Sequence, residues 1–372
     1  MTKKLTGLAL TVSRTHESKA GRVFPPRYLA PDGAGTGAAD MLVLVGDQFG
    51  RVIGELDGRV EGVAFKLSDY GQMRMTLARA GAQERLLRPG NRLLIQFGNG
   101  LPDWGGVLDL PRRWRDGRIE IVGYSGEYLL KWRITERGRY FRNQTAGAIF
   151  QALLQEALPS GVTFGAAWKG EELHSPEYHY RDLYDIFTKS LSSRIEAADW
   201  YVRPELVGGQ IFFTALYYQQ RGKDHERRLA LIEGINAVEV DMQEQGPIIN
   251  DYRLAGAGTG WGETTRIYAA ATSRESGDLY GLRQRGEVRV EVSEQETLDR
   301  SAEVAVAESA YPRAVVGLTT LDRPPARWGQ YDVGDSIWME LYEEGFGGYG
   351  ATVRVTAREF LPARGVCSLV IE

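Results

Sequence analysis

Cysteine is almost missing from the sequence, which has only Cys367 in 372 residues. A lone thiol excludes an internal disulfide, and it excludes any metal or iron–sulfur site built from several cysteines of one chain. Nothing in the composition therefore requires an oxidising compartment.

Histidine is scarce too, with four residues in the chain. Glu172, His174, Glu177 and His179 lie close together, but their spacing fits no zinc motif, and Pro176 interrupts any helix that would align them. We expect a solvated loop here, and no metal or cofactor.

Long apolar runs are also missing. No window approaches the roughly 18 apolar residues of a membrane-spanning helix. The first five residues contain two lysines but no apolar stretch suited to a signal peptide. We therefore expect no membrane span and synthesis in the cytoplasm, with export only by a route that needs no signal peptide.

The chain has no excess of positive charge. Its 45 lysine and arginine residues stand against 49 aspartate and glutamate residues, a net charge of −4. Dedicated nucleic-acid-binding proteins normally show a basic excess, so the balance disfavours that class.

Glycine and aromatic residues are abundant, with 45 Gly, 18 Tyr and 8 Trp. This mixture is typical of a β-rich protein with many turns. A hydrophobic fraction of 43% over this length suits a globular protein of two or three domains.

Short strands separated by turns dominate residues 41–134, which suggests a barrel or sandwich. Asp116-Gly117 predicts a hairpin turn, and residues 128–134 read as a closing strand. Residues 1–40 are interrupted by Pro and Gly. They predict an extended N-terminal arm that is either disordered or ordered against a neighbouring subunit or partner.

The hydrophobic period changes between residues 143 and 200. Apolar residues from Ala146 to Ala157 recur with helical spacing after Thr145, a residue suited to the N-cap, and Pro159-Ser160-Gly161 ends this helix. A second amphipathic helix is predicted from Leu183 to Ile195, followed by a hairpin through Gly208-Gly209. These elements predict a small α/β insert.

Residues 228–372 return to strands and contain one helix. Ser293 and Glu296 have the spacing of a capping box at the start of that helix. The chain then repeats a pattern seen earlier, because residues 334–341 and 90–97 both begin with Gly and Asp or Asn and continue as an apolar strand. A glycine-rich loop, a strand and a glycine-led strand follow in both, ending near 370 and 122.

The sequence therefore predicts an α+β, mainly β fold. Two related antiparallel β-barrel domains, residues 41–142 and 228–372, flank the α/β insert at residues 143–227 and follow the arm at residues 1–40. The competing interpretation of the repeat is that any two β-meanders look alike at this level of detail.

Motifs for catalysis are missing. The chain has no Gly-x-Ser-x-Gly elbow and no P-loop. Glycines at 256–262 follow a strand, but residues 264–268 predict a strand where a dinucleotide site needs a helix. Glu343-Glu344 lies in a glycine-rich loop without a partner base. We expect no catalytic and no cofactor-binding residues, and therefore no enzyme.

Two kinds of surface feature remain as contact candidates. Residues 112–115, Arg-Arg-Trp-Arg, predict a hairpin tip that is solvated or contacts an acidic neighbour, in preference to nucleic acid. The loops at 98–104 and 342–350 contain Tyr, Trp or Phe, which are costly to leave in water. We expect these loops to contribute subunit contacts.

Several stretches resemble the tail-hub family of tailed bacteriophages and contractile injection machines. Residues 87–91 followed by 104–107 look like the first barrel of that family, and residues 123–130 look like its exit. Residues 180–187 through 200–202 are similar to the helical insert, and residues 331–337 look like the start of the last strands. The resemblance covers about residues 41–372, but the chain shows no C-terminal peptidase, lysozyme or fibre domain.

The resemblance implies a homotrimeric hub in the virion tail. Two related barrels in each of three subunits present six similar units to the six-fold tail rings. The implied partners are a distal tail protein ring, the tape-measure protein, tip or fibre proteins, and DNA that passes without sequence-specific binding. The alternatives are a tail-associated cell-wall hydrolase and a carbohydrate-binding baseplate module.

Overall fold

The structure is a computed structural model. It describes residues 41–372 except 80–82, 99, 137, 158–161, 196–197, 259–265, 291 and 344–346. The predicted arm at residues 1–40 lies outside the described residues, as do Pro159-Ser160-Gly161, Glu344 and the end of the glycine-rich stretch at 256–262.

The first segment of the chain consists of strands and one short helix. Its elements are β1 Met41–Gly46, β2 Val52–Glu55, β3 Gly58–Lys66, β4 Gln72–Ala78, β5 Arg92–Phe97, β6 Trp104–Arg115, β7 Arg118–Ser125 and a 3₁₀ helix Gly126–Trp132.

The middle segment mixes helices with strands. Its elements are β8 Arg139–Tyr140, β9 Gln144–Thr145, α1 Ala146–Ala157, β10 Val162–Ala167, β11 Leu173–His174, β12 Glu177–Tyr178, α2 Leu183–Ile186 with a π-helical continuation Phe187–Ile195, β13 Asp199–Val207 and β14 Gln210–Tyr218.

The last segment is again rich in strands. Its elements are β15 Ala230–Ile232, β16 Ala237–Gln245, β17 Asp251–Ala255, β18 Tyr268–Thr272, α3 Arg274–Tyr280, β19 Gln284–Val288, α4 Gln295–Ser309, β20 Arg313–Thr320, a 3₁₀ helix Trp328–Gln330, β21 Ser336–Glu343, β22 Gly347–Leu361 and β23 Val366–Ile371.

Apart from β2, which has no counterpart, the same strand order occurs twice in the main sheet. The first run is β3-β4-β7-β6-β5-β1-β2, and the second run is β16-β20-β23-β22-β21-β15. The pairs are antiparallel throughout except β15 with β21, which is parallel. The predicted α+β, mainly β class with antiparallel sheets is confirmed. Over the described residues, no ladder closes either run into a barrel.

The two runs meet edge to edge in the middle of the sheet. Val63–Lys66 of β3 pairs antiparallel with Ala357–Phe360 of β22. One hydrophobic cluster contains buried residues from both runs, including Met73, Leu93 and Val355. The runs therefore share a core, and the division into domains at 142 and 227 stays a prediction.

Two smaller cores flank the sheet. The insert buries Phe150, Phe187 and Trp200 between α1, the π-helical turn and the sheet β10-β14-β13. Residues 249–311 form another unit, in which α4 packs on the sheet β18-β17-β19 through Leu298. The sequence pattern did not separate this unit from the strands around it.

Most predicted turns and helices are found. Asp116 and Gly117 have φ values of 49° and 71° between β6 and β7, a left-handed turn of the type that joins hairpin strands. The amide of Ala148 donates to Thr145 Oγ1 at 3.4 Å, which confirms the N-cap of α1. The Gly208-Gly209 hairpin joins β13 and β14 as expected.

Residues 128–134 are a correction, because most of the predicted strand is the 3₁₀ helix Gly126–Trp132. Leu129 and Leu130 are adjacent and both buried in the insert core. Neighbouring side chains of a strand point to opposite faces, so only a helical turn brings both leucines to one side.

Two helix details also differ from expectation. The N-cap of α4 is Glu294, without a side-chain cap, so the capping box of Ser293 and Glu296 is wrong. The helix that begins at Leu183 is capped by Asp182, which accepts from the amide of Asp185 at 2.7 Å, and it widens into a π-helix after one turn. Within the described residues, no helix has the length and apolarity needed to cross a bilayer.

The shared core predicts a large loss of stability on replacing Phe360 by Ala. Phe360 is 5% exposed, and its ring lies 5.7 Å from that of Phe97 in the first run and 5.0 Å from that of Trp328. We expect Phe360→Ala to lower the free energy of unfolding by about 3–5 kcal/mol, measured by urea denaturation. Val370→Ala, at a residue 37% exposed, is the control and should cost less than about 1 kcal/mol. Equal losses would contradict the shared core.

Candidate assembly interface

The histidine-rich segment does not assemble a metal site. His179 contacts the carboxylate of Glu177 and accepts from the amide of Gly138 at 2.9 Å. Glu172 pairs instead with Arg300 of α4, at 3.4 Å, and His174 is buried. Over the part of the chain that the structure describes, no group of three or more His, Cys, Asp or Glu side chains is arranged to hold a metal ion.

The remaining sequence candidates for chemistry lie on different elements. The glycines at 256–258 follow β17, and the next described element is the strand β18. Glu343 is the last residue of β21, where the described chain stops before residue 347.

The basic cluster lies at the end of the β6–β7 hairpin. Side chains of Arg113 and Arg115 are 73% and 74% exposed, and Trp114 is 53% exposed. Arg112 is more enclosed, since it donates to Glu84 Oε1 at 3.2 Å and to the carbonyl of Leu87 at 3.1 Å. An exposed Trp among arginines is the composition of a protein interface more than of an inert surface.

The two loops predicted to contribute subunit contacts differ in the exposure of their aromatic residues. Trp104 is 1% exposed, and its indole N–H donates to the carbonyl of Ala64 at 2.9 Å, so it belongs to the core and cannot contact another subunit. The expectation failed because Trp104 begins β6 and is not part of the loop. Tyr342, which is 59% exposed, remains a contact candidate.

A group of tyrosines lies at the boundary between the first run and the insert. Tyr70 packs edge-on against Tyr124, Tyr128 and Tyr184, at 5.3 to 5.7 Å between ring centroids. The ammonium of Lys131 lies 4.5 Å from the ring centre of Tyr70. These rings pack against one another and against a cation, so they do not form an open stacking platform for a sugar.

A network of charged residues joins the end of the insert to the second run. We call it the polar junction; its members are Asp199, Arg221, His225, Asp332, Asp335, Arg354 and Arg358. Sequence reasoning missed it because its members are up to 159 positions apart and follow no local motif.

Ion pairs and hydrogen bonds hold the polar junction together. Arg221 Nη2 lies 2.7 Å from Asp332 Oδ2, and the Arg221 amide donates to Asp199 Oδ2 at 2.6 Å. Asp199 also pairs with Arg354 of β22. Burial raises the pKa of Asp332, but the guanidinium groups of Arg358 and Arg221 outweigh it and hold that pKa below its ordinary value.

The insert is fixed to the first run by a buried carboxyl group. Glu127 is 1% exposed; one of its oxygens accepts from the amide of Val202 at 2.8 Å, and the other is 2.5 Å from the hydroxyl of Ser125. The same hydroxyl accepts from the amide of Gly71 at 2.9 Å. Burial raises the pKa of Glu127 to about 7.

These contacts join the insert to both runs of strands. The buried polar groups bind the insert to both runs, and a small pocket beside them is lined by Trp104, Glu127 and Tyr201. The chemistry of the surface lies in the basic hairpin end and in the free strand edges, which can form backbone hydrogen bonds with another chain.

Comparison with solved structures identifies the fold. The chain is similar to the 43 kDa tail protein of prophage MuSo2 from Shewanella oneidensis, at 13% identity and a TM-score of 0.56, over 89% of this chain and 97% of the other. It is similar to a tail protein from Neisseria meningitidis MC58, at 12% identity and a TM-score of 0.57, over 89% and 95%.

A third similar structure is the prophage tail protein gp18 from Listeria monocytogenes EGD-e, at 11% identity and a TM-score of 0.54, over 89% and 94%. No family model and no curated protein sequence matches the chain. The fold is therefore that of prophage tail proteins, and the resemblance expected from the sequence is confirmed at the level of the fold.

Glu127 predicts a loss of stability with rising pH. The carboxyl group titrates near 4.5 in the unfolded chain and near 7 in the fold, so the unfolded state binds fewer protons between these values. We expect the free energy of unfolding to fall over this pH range by up to about 2–3 kcal/mol through this group. In Glu127→Gln this contribution should vanish, whereas Glu120→Gln, on the exposed face of β7, should keep it. Urea denaturation at pH 4.5 and pH 8 makes the comparison, and parallel pH profiles for all three proteins would contradict it.

Removal of the Asp332 charge should loosen the insert from the second run. Asp332→Asn leaves Arg221 and Arg358 without their shared carboxylate, and we expect a loss of roughly 2–4 kcal/mol at pH 7. Because the pKa of Asp332 is depressed, the loss should shrink as the pH falls below 3.8. Asp116→Asn, at an 84% exposed side chain, is the control. The free energy of unfolding of both variants is measured by denaturation from pH 7 to below pH 3.8. A loss in Asp332→Asn that does not change with pH would contradict the ion-pair explanation.

Proposed function

We propose that the protein is a structural component of a phage-type tail tip, in which three copies form a hub that joins six-fold tail rings to a three-fold tip. The observation that supports this most is the strand order that occurs twice in one chain. Three such chains present six similar runs around an axis, and a six-fold ring offers six equal positions. The fold shared with prophage tail proteins supports the same role.

The partners follow from this position. The hub contacts the distal tail protein ring on one side and tip or fibre proteins on the other. It surrounds the end of the tape-measure protein and the path of the DNA. DNA passes without sequence-specific binding, in keeping with a net charge of −4.

The proposed role requires no chemical reaction. Glu127 and the carboxylates of the polar junction engage in ion pairs and hydrogen bonds within the chain, and the hub acts by geometry. A cell-wall hydrolase is the competing function, and its signature would be release of peptidoglycan fragments that a single carboxylate substitution abolishes.

The oligomeric state tests the proposal directly. We expect a particle of three times the 41.4 kDa of one chain, measured by light scattering after gel filtration. The measurement is made with the full chain alone and again with its purified ring protein. A chain that stays monomeric under both conditions would exclude the hub.

A further inference from the structure

The two runs contact each other within one chain through β3 and β22. In that contact, Phe65 of β3 lies opposite Arg358 of β22, and Ala64 lies opposite Glu359. The amide of Leu67 donates to the carbonyl of Thr356 at 2.9 Å. The carboxylate of Glu359 also reaches Arg74 of β4, at 2.6 Å. We call this contact the run joint.

The strand of the run joint that belongs to the second run has a counterpart in the first run. Gly90 donates to the carbonyl of Leu108 at 2.8 Å, and Gly334 donates to that of Val355 at 2.7 Å, so Leu108 and Val355 are equivalent. Past a bulge in each strand, the hairpin pairs also correspond: they are Arg113↔Glu120, Trp114↔Ile119 and Arg115↔Arg118 in the first run, and Glu359↔Ser368, Phe360↔Cys367 and Leu361↔Val366 in the second.

A pair of arginines supports this correspondence. Arg112 donates to the carbonyl of Leu87 at 3.1 Å, and Arg358 donates to the carbonyl of Tyr331 at 2.6 Å. The first carbonyl belongs to the loop that precedes β5, and the second belongs to the loop that precedes β21. Each arginine also pairs with a carboxylate of the same loop. Residues 111–114 of β6 are therefore the counterparts of residues 357–360.

The other strand of the run joint has a counterpart as well. Met73 of β4 lies opposite Val63 and Gly123, while Val316 of β20 lies opposite Met242 and Ile371. Residues 242–245 of β16 thus correspond to residues 63–66 of β3. In each run the strand lies at the same end of the order.

Both counterparts have a free edge within one chain. In the described residues, β16 pairs only with β20, and no strand pairs with the β5 side of β6 beyond Val107. Trp114 is 53% exposed there, whereas its counterpart Phe360 is 5% exposed. Strand β3 thus covers the edge of the second run at this position, whereas the equivalent edge of the first run is exposed.

The two free edges have opposite charges. The β16 sequence contains Glu239, Asp241 and Glu244 and no basic residue, whereas residues 110–115 contain three arginines and no acidic residue. Opposite charges on facing edges favour this pairing and disfavour pairing of either edge with itself.

We propose that β16 of one subunit pairs antiparallel with the open edge of β6 in the next subunit, so that the run joint recurs between chains. Transfer of its register places Glu244 opposite Arg112, Gln243 opposite Arg113 and Met242 opposite Trp114. This interface rests on the proposed trimer, in which three joints within chains and three between chains close one ring.

Pro111 is compatible with this pairing. Pro111 corresponds to Ala357, which lies opposite Lys66. The neighbouring pair, Leu67 and Thr356, is hydrogen-bonded. Hydrogen-bonded and non-hydrogen-bonded pairs alternate along an antiparallel ladder, so the Pro111 position needs no N–H toward the neighbour.

A cross-linking experiment tests the register. Gln243 and Arg113 correspond to Ala64 and Glu359, a non-hydrogen-bonded pair in which Cα atoms are close enough for a disulfide. We expect the full chain with Gln243→Cys and Arg113→Cys, oxidised with copper phenanthroline, to give a three-chain product on a non-reducing gel. The native Cys367 is buried and should not contribute.

The controls separate register from proximity. Gln243→Cys with Arg115→Cys shifts one thiol by two residues and should cross-link at least about tenfold less, as should each single variant. Arg113→Glu should weaken the trimer by about tenfold or more in dilution experiments, since it puts a carboxylate on the basic edge that faces the acidic sequence of β16. Arg364→Glu makes the same change at the tip of the equivalent hairpin of the second run and should leave the trimer unchanged.

The outcomes distinguish this interface from the hub itself. A trimer by mass that fails to cross-link through 243 and 113, or that stops at two chains, would overturn the proposed interface and leave the hub standing. A chain that stays monomeric with its ring protein would overturn the hub, and the interface with it.

Discussion

Pairing of β3 with β22 is the interaction on which the rest of the structure depends. Four residues of each strand convert two separate runs of strands into one sheet with a common core. Without this contact, Phe65 and Phe360 would lie at two exposed sheet edges, which proteins generally avoid because such edges pair with other chains. The same geometry leaves β16 and the end of β6 as the edges at which the chain can continue into a neighbour.

Polar contacts hold the insert between the two runs, and these contacts respond to pH in opposite ways. Glu127 fixes the insert to the first run through a buried carboxyl group whose raised pKa favours the protonated form. The polar junction fixes it to the second run through ion pairs that favour ionised groups. The first contact is therefore strongest at low pH and the second above the ordinary titration range of aspartate, so both operate together over a limited range of pH.

Much of the fold was predictable because its signals are local. The Asp116-Gly117 turn, the helix after Thr145 and the repeated Gly-Asn and Gly-Asp turns before β5 and β21 follow from residue chemistry within a few positions. The helical turn at Leu129-Leu130 was missed because two adjacent apolar residues suit either a buried strand or a helix. Burial of Trp104 and formation of the polar junction depend on partners far away in sequence, which no local pattern records.

In the proposed hub, one chain supplies two equivalent positions of a six-part ring. The most direct measurement is an electron cryo-microscopy map of the assembled oligomer, detailed enough to resolve strands. We expect six similar runs around one axis, contributed by three chains, with the contact between β3 and β22 alternating with a like contact between chains. A ring in which the two runs of each chain occupy unrelated positions would contradict it.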